Sequence, residues 1–153
     1  MKQKMAEGSN MRRIEEASLA AIQRALEVCQ LFPVVLYLHG SQGTAWQRHD
    51  SDWDFAILTD APLHLEQKLA FQQVLASALG TDDVDLADLN RCDTVFSALV
   101  VSQGKALYVG DDEQRQRYEM LVLAQYARLN EERALILQDI RKRGTVFSRE
   151  SLA

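Results

Sequence analysis

The chain of 153 residues has few cysteines and no long apolar run, and so lacks the features that are typical of disulfide-rich secreted proteins, cysteine-based metal sites and membrane proteins. Its two cysteines, Cys29 and Cys92, form no Cys-x-x-Cys pair or Cys/His cluster, so neither a disulfide framework nor a cysteine-based metal site is indicated. We expect both to be reduced core residues. No run of 18 apolar residues exists, and residues 1–10 lack the apolar segment of a signal peptide. A cytoplasmic protein without membrane contact is therefore expected.

Positive charge is also scarce. Lys and Arg number 17 against 22 Asp and Glu, which gives a formal net charge of −5. This balance excludes a bulk electrostatic binder of nucleic acid, so no direct nucleic-acid partner is expected. The hydrophobic fraction of 47% and the charged fraction of 25% are typical of a globular protein. The length predicts a single domain over 1–153, with residues 1–10 frayed and a flexible tail over 143–153.

Hydrophobic periodicity predicts four helices and four strands. The helices are expected from residue 11 to before Pro33, from about Pro62 to Gly80, over 93–103 with Asp93 as the N-cap, and over 113–142. The strands are expected at 34–38, 52–58, 83–89 and 106–109. This order predicts an α/β (α+β) fold, a small mixed β-sheet with packed helices.

The apolar spacing also predicts which side of each helix is buried. The core side of the second helix is predicted to carry four leucines, Leu65, Leu69, Leu75 and Leu79. The core side of the third helix is predicted to carry Phe96, Leu99 and Val100. The last helix is apolar over a broad sector, which fits either a second surface for a partner or an ordinary core. Its basic end, 141–143, either complements the helix dipole or contacts phosphate or a partner.

Three aspartates on two predicted strands are the candidate catalytic and metal-binding residues. Asp52 and Asp54 are two residues apart, so their side chains share one face of a strand. That face is either simply solvated or holds a divalent cation, because Mg²⁺ takes one or two carboxylates and completes its octahedron with water and phosphate oxygens. Asp85 lies between apolar residues on another strand, where a carboxylate needs a partner. Asp83 shares its face and is the alternative to Asp85.

Gly40 and Ser41 follow the first predicted strand directly and are candidate phosphate-binding residues. Glycine lets a phosphate approach the backbone, and the serine hydroxyl and nearby N–H groups can bind phosphate oxygens. Ten residues, 42–51, separate Ser41 from Asp52, so one loop can bring the phosphate seat and the carboxylates together. This combination favours a phosphate–metal site over a solvated strand face.

The same segments resemble a known family. Residues 38–41 (Leu-His-Gly-Ser), 51–55 (Ser-Asp-Trp-Asp-Phe) and 83–89 resemble the signature of the nucleotidyltransferase superfamily related to DNA polymerase beta. The short chain is similar to its minimal nucleotidyltransferases, and most similar to the antitoxins of HEPN/MNT toxin–antitoxin pairs, over residues 34–140. One departure is His39, which stands where an aromatic or apolar residue usually precedes the Gly-Ser pair.

This resemblance implies the palm-like fold of DNA polymerase beta and an enzyme that uses ATP with Mg²⁺, two ions being expected. It implies transfer of AMP to a tyrosine of a cognate HEPN ribonuclease toxin, which is neutralised in a hetero-oligomer. It also implies that Asp52, Asp54 and Asp85 hold the metal ions, with Gly40 and Ser41 under the triphosphate.

Two other functions stay open at this point. One is a nucleotidyltransferase for a small molecule such as an aminoglycoside, although no separate substrate domain is visible in 153 residues. The other is an antitoxin that binds its toxin sterically without catalysis. Two aromatic-ring side chains are weighed as well: Trp53 is expected in the core, on the face opposite the aspartates, and His39 either packs or contacts the nucleotide.

Overall fold

The computed structural model describes residues 16–40 and 53–144. Within them the chain forms four helices and four strands in the predicted order. In chain order these are α1 (Glu16–Val28), β1 (Val35–His39), β2 (Trp53–Leu58), α2 (Leu65–Leu79), β3 (Val84–Asp88), α3 (Thr94–Gln103), β4 (Lys105–Val109) and α4 (Asp112–Arg143).

The four strands form one mixed sheet in the order β3-β2-β1-β4. β1 is antiparallel to both β2 and β4, whereas β2 and β3 are parallel. A parallel pair needs a crossover connection, which α2 supplies between β2 and β3. The predicted small mixed sheet with packed helices is confirmed.

Helices cover the sheet on both faces and create two apolar cores. On the α1/α2 face, alternate residues of β1, β2 and β3 pack with the buried sides of those two helices; the members include Ile22, Leu36, Phe55, Phe71, Leu75 and Leu86. On the α3/α4 face, the other alternate residues pack under α3 and the start of α4; the members include Val35, Tyr37, Ala56, Val100 and Tyr118. The period of two along each strand therefore assigns every strand side chain to one of these faces.

The second helix starts later than predicted and buries a different side. It begins at Leu65 with His64 as the N-cap, three residues beyond Pro62, and ends as expected at Gly80, whose φ of 69° is left-handed. Leu65 and Leu69 are 69% and 54% exposed, so their predicted burial is wrong. At about 100° per residue, Leu65 and Leu75 lie roughly 80° apart around the axis, and the sheet selects the side of Leu75.

The third helix confirms its predicted cap and corrects one core residue. The Asp93 carboxylate accepts a hydrogen bond from the backbone N–H of Phe96 at 2.7 Å, which satisfies one of the free donors of the first turn. Val100 is buried, but Leu99 is largely exposed, because the packed side of α3 is the one that carries Ser97, Ala98 and Val100. Burial of Leu99 was therefore predicted wrongly.

The last helix extends through the basic residues at its end. Arg141 to Arg143 form its last turn, and Gly144 closes it with a left-handed φ of 65°, so these cations lie where the helix dipole favours positive charge. Residues 131–139 are all exposed, so the C-terminal half of α4 projects from the sheet. The predicted frayed residues 1–10 and the tail beyond 144 lie outside the described residues, and the single-domain assignment stays a prediction.

Both cysteines are free thiols, half-buried at the borders of the two cores. Cys29 packs against the core of the α1/α2 face and Cys92 against that of the α3/α4 face. Across the two described ranges, no helix has the length and apolar character needed to span a bilayer.

Candidate active site

Three polar side chains from three neighbouring strands form a row across one end of the sheet. His39, the last residue of β1, is paired with Asp54 near the start of β2, and Asp54 is paired with Asp85 of β3. Residues directly opposite one another in a sheet point to the same face. His39, Asp54 and Asp85 therefore stand side by side on the α3/α4 face, and two of the three predicted carboxylates are brought together.

Gly40 fits closely against this row. Its φ is +79°, a left-handed conformation that favours glycine. A Cβ atom built at this position would overlap the Oδ2 atom of Asp54 and crowd the rest of that carboxylate. The glycine therefore leaves the space that the Asp54 side chain occupies, a role that the sequence did not suggest.

Two of the predicted site residues are not among the described ones. Ser41 and Asp52 lie outside the described residues, as does the spacer 42–51 with Trp46, Arg48 and His49. The phosphate-binding role of Ser41 and the metal-binding role of Asp52 stay predictions.

The register distinguishes Asp85 from its alternative, Asp83. Asp85 is the direct partner of Asp54 in the parallel pair, whereas Asp83 precedes β3 and its backbone carbonyl accepts the N–H of Trp53 at 2.8 Å. Both side chains are exposed to solvent. The position of Asp85 opposite Asp54 makes it the better candidate for a shared ligand.

The nearby Asp88 has a structural role instead. It is buried, and its two carboxylate oxygens accept the backbone N–H groups of Leu63 at 2.9 Å and Asn90 at 3.0 Å. These bonds hold the turn before α2 and the turn after β3. A buried carboxylate satisfied in this way is committed to the fold.

His39 is held mainly by packing. Its ring is half-buried and meets the ring of Phe96 edge-on, with centroids 5.3 Å apart. Burial lowers the pKa of His39, and the charges of Asp54 and Asp85 together with a hydrogen bond to the Phe55 backbone oppose this effect. Burial is the largest contribution, so the neutral imidazole is favoured beside the carboxylates. Trp53 packs against the core of the α1/α2 face, as predicted.

A cavity of about 430 Å³ opens beside the row. Its lining includes His39, Asp54 and Asp85 of the row, together with Phe96, Ala87 and Cys92. The lining also includes the buried Asp88 and two cations that the sequence analysis did not single out, Lys68 of α2 and Arg91 of the turn after β3. One signal was available for Lys68: it is the only basic residue of α2.

The donor set of this site suits a hard cation. Asp54 and Asp85 offer carboxylate oxygens, the ligands that Mg²⁺ prefers. Within the two described ranges, no group of three His, Cys, Asp or Glu side chains is arranged to hold a metal ion. A third carboxylate from Asp52, two residues before Asp54, would complete the predicted set.

The match with known proteins agrees with this geometry. Residues 25–113, which include β1, β2, β3 and the whole row, match the model of the family described as polymerase beta, nucleotidyltransferase. The chain belongs to this family. The family inferred from the Gly-Ser and Asp-x-Asp motifs is thereby confirmed, as are the fold and the enzyme class.

Individual members are similar over most of the chain. The protein adenylyltransferase MntA of Shewanella oneidensis is 36% identical over 106 residues, which cover 69% of this chain and 75% of the relative. A toxin–antitoxin crystal structure with AMP-PNP matches with a TM-score of 0.68 and 32% identity, over 80% of this chain and 98% of the other. A complex of tri-AMPylated Shewanella oneidensis HEPN toxin with MNT antitoxin matches with a TM-score of 0.66 and 30% identity, over 84% and 99%.

Proposed function

We propose that this nucleotidyltransferase is an antitoxin that transfers AMP from ATP to a tyrosine of a cognate HEPN ribonuclease toxin and so neutralises it. The observation that carries the proposal is the in-register pair Asp54–Asp85 beside Gly40, in a chain that is 36% identical to a protein adenylyltransferase. The partner is the toxin itself, in a hetero-oligomer. A cytoplasmic location is part of the proposal, because the toxin's RNA substrates are there.

The residues have distinct tasks in this reaction. Gly40 and Ser41 lie under the triphosphate, while Asp52, Asp54 and Asp85 bind Mg²⁺. Mg²⁺ held by these carboxylates would supply positive charge for the phosphate oxygens of the reacting nucleotide. Asp85, on the strand farthest from Gly40, orients the tyrosine hydroxyl and accepts its proton as the oxygen attacks the α-phosphorus. The chain thus acts by position and charge, as in phosphoryl transfer generally.

Nucleotide and acceptor are supported by the relatives. One similar structure contains AMP-PNP, an ATP analogue, and another contains a toxin that carries AMP groups. These observations favour protein AMP transfer over a small-molecule acceptor and over steric inhibition, which become outcomes of the test.

The test uses the purified chain with its cognate HEPN protein, ATP and Mg²⁺, and intact-mass spectrometry. We expect the partner to gain the mass of AMP on a tyrosine. Asp54→Asn and Asp85→Asn should reduce the transfer rate by roughly 100-fold or more, since even residues that only support metal ligands contribute 10–100-fold. Asp83→Asn is the matched control, being exposed, two residues from Asp85 and not paired with Asp54.

Two outcomes would contradict the proposed function, and a third would change one of its residues. Tight binding of the partner without added mass would indicate a steric antitoxin, and AMP on a small molecule alone would indicate the other enzyme class. Undiminished transfer by Asp85→Asn together with loss in Asp83→Asn would move the third carboxylate to Asp83.

A further inference from the structure

Two cations in the cavity have no task in the first transfer. Lys68 is half-buried and forms no ion pair with any residue of the described ranges. Lys68 lines the same cavity as Cys92, Asp54 and Asp85. A half-buried charge that faces a cavity is available to a ligand.

Arg91 is only loosely engaged by the fold. Its side chain is 65% exposed, its Nε lies 3.6 Å from Oδ2 of Asp88, and one terminal nitrogen lies 3.4 Å from the carbonyl oxygen of Leu63. The Asp88 carboxylate already accepts two shorter bonds from backbone N–H groups. Asp88 therefore does not depend on Arg91, and the guanidinium can donate to another acceptor.

The order of the strands gives the cavity a direction. Gly40 follows β1, Asp54 is on β2 and Asp85 is on the edge strand β3, and the cavity that the two aspartates line is also lined by Lys68 and Arg91. With the ATP phosphates at Gly40, the acceptor enters on the side of β3. Three residues of strand, roughly 10 Å at about 3.3 Å per residue, separate Asp85 from the end of β3, where Arg91 follows. That is enough for a nucleotide-sized group.

The charge on this side suits an acceptor that is already modified. A tyrosine side chain is neutral at physiological pH, whereas a tyrosine that carries AMP has a phosphodiester anion between its ring and the ribose. We propose that Lys68 and Arg91 form an acceptor subsite that binds the phosphodiester of an AMP already attached to the toxin, so that further AMP groups are added in sequence. This inference rests on the proposed function and extends it, and the tri-AMPylated toxin of a similar complex agrees with it.

The additional step balances without any new reactant. A ribose hydroxyl of the attached AMP attacks the α-phosphorus of a second ATP, a new oxygen–phosphorus bond forms, and the bond to pyrophosphate breaks. The hydroxyl proton passes to the Asp85 carboxylate, as in the first step. Lys68 and Arg91 donate hydrogen bonds to the phosphodiester oxygens and hold the attached AMP along the cavity.

The test compares two acceptors, the unmodified HEPN partner and the partner already carrying one AMP. In the double variant Lys68→Gln/Arg91→Gln, we expect the rate of the second transfer divided by that of the first to fall by about 10-fold or more, the scale of a lost charge-assisted hydrogen bond. The charge-keeping pair Lys68→Arg/Arg91→Lys should restore the ratio. Arg117→Gln, which removes an ion-paired cation of α4 outside the cavity, should not change it.

A binding measurement gives a second readout that needs no turnover. A tyrosine peptide carrying one AMP should bind the double variant at least about 10-fold more weakly than the wild type, whereas the unmodified peptide should not distinguish them. An equal loss for both acceptors, or a wild type that stops after one AMP in excess ATP, would overturn the subsite and leave the proposed function intact. A complete lack of AMP on the partner would instead refute the proposed function.

Discussion

At the scale of single residues, the site depends on Gly40 having no Cβ atom. Gly40 brings the chain out of β1 with a left-handed backbone, and its lack of a Cβ leaves room for the Asp54 carboxylate. The glycine therefore sets both the direction of the chain beyond β1 and the position of a candidate metal ligand. A phosphate seat was the only reason for this glycine that the sequence offered.

The substitution Gly40→Ala tests this double role. We expect a loss of about 1–2 kcal/mol in the free energy of unfolding from the left-handed backbone, and a fall of roughly 100-fold in AMP transfer, because Asp54 must move. Gly80→Ala is the control: its φ is +69°, but an added Cβ meets nothing within 4 Å. Urea titration and the transfer assay should show similar stability losses and loss of activity at Gly40 alone. Equal activities would remove the link between Gly40 and Asp54.

The site also shows what a sequence can and cannot supply at this scale. Asp54, Asp85 and Gly40 were identified because their types and spacing match a chemical need. The pairing of Asp54 with Asp85 across two strands depends on the parallel register, which no local pattern states. Lys68 and Arg91 were missed because they enter the cavity from segments whose local patterns predict only a surface helix and a turn.

At the scale of elements, the ends of helices were predicted better than their orientation. Asp93 and Gly80 cap their helices as expected, because a cap is a local interaction between a residue and the adjacent turn. The exposed Leu65 and Leu69 show the limit, since the buried side of α2 is chosen by the sheet beneath it. Helical spacing alone leaves that choice open when leucines occur on several sides.

The contact between β1 and α4 predicts a pH dependence of stability. The buried Tyr37 hydroxyl donates a 2.6 Å hydrogen bond to Oε1 of Glu119, which also accepts from Arg115 at 3.0 Å. Burial and this bond to Glu119 raise the pKa of Tyr37 well above its usual range. Its contribution to stability is therefore complete below about pH 10, where the unfolded tyrosine ionises, and is lost as the pH rises further.

The variant Tyr37→Phe separates this contribution. At pH 7 we expect it to lower the free energy of unfolding by about 1 kcal/mol, the net value of one hydrogen bond. Above pH 10 the wild type should lose up to about 1.4 kcal/mol per pH unit from this group, and the variant should lack that slope. Tyr126→Phe, on the same helix, is the control in urea titrations from pH 7 to 11. A wild type and a Tyr37→Phe protein with parallel pH profiles would show that the hydroxyl is not held as described.

At the scale of the whole molecule, α4 divides into a packed half and a projecting half. Its 32 residues span about 48 Å. Val122 is buried against the fold, whereas residues 131–139 are exposed, among them Leu135, Ile136 and Leu137. The sheet therefore stabilises only the first half of this helix.

Truncation after Asn130 should leave the folded unit intact. We expect the melting temperature to change by only a few degrees, because surface residues contribute little to stability. A truncation within the packed half, after Tyr118, should abolish cooperative unfolding, since it removes the buried Val122. Calorimetry of both proteins is the measurement. A large drop for the first truncation would show that the projecting half packs on chain outside the described ranges.

Because β3 pairs with β2, the length of the turn between Gly80 and Val84 determines which face of the sheet the Asp85 side chain points to. Deleting one residue there and shifting β3 by a single step would leave its backbone bonded to β2 while turning Asp85 toward Phe55 and the helices α1 and α2. Such a protein would keep almost the same circular dichroism spectrum and lose its candidate ligand. A spectrum that shows folding would therefore not show that the enzyme is competent, whereas a measurement of Mg²⁺ binding would test whether Asp54 and Asp85 still lie opposite each other, as the proposed metal site requires.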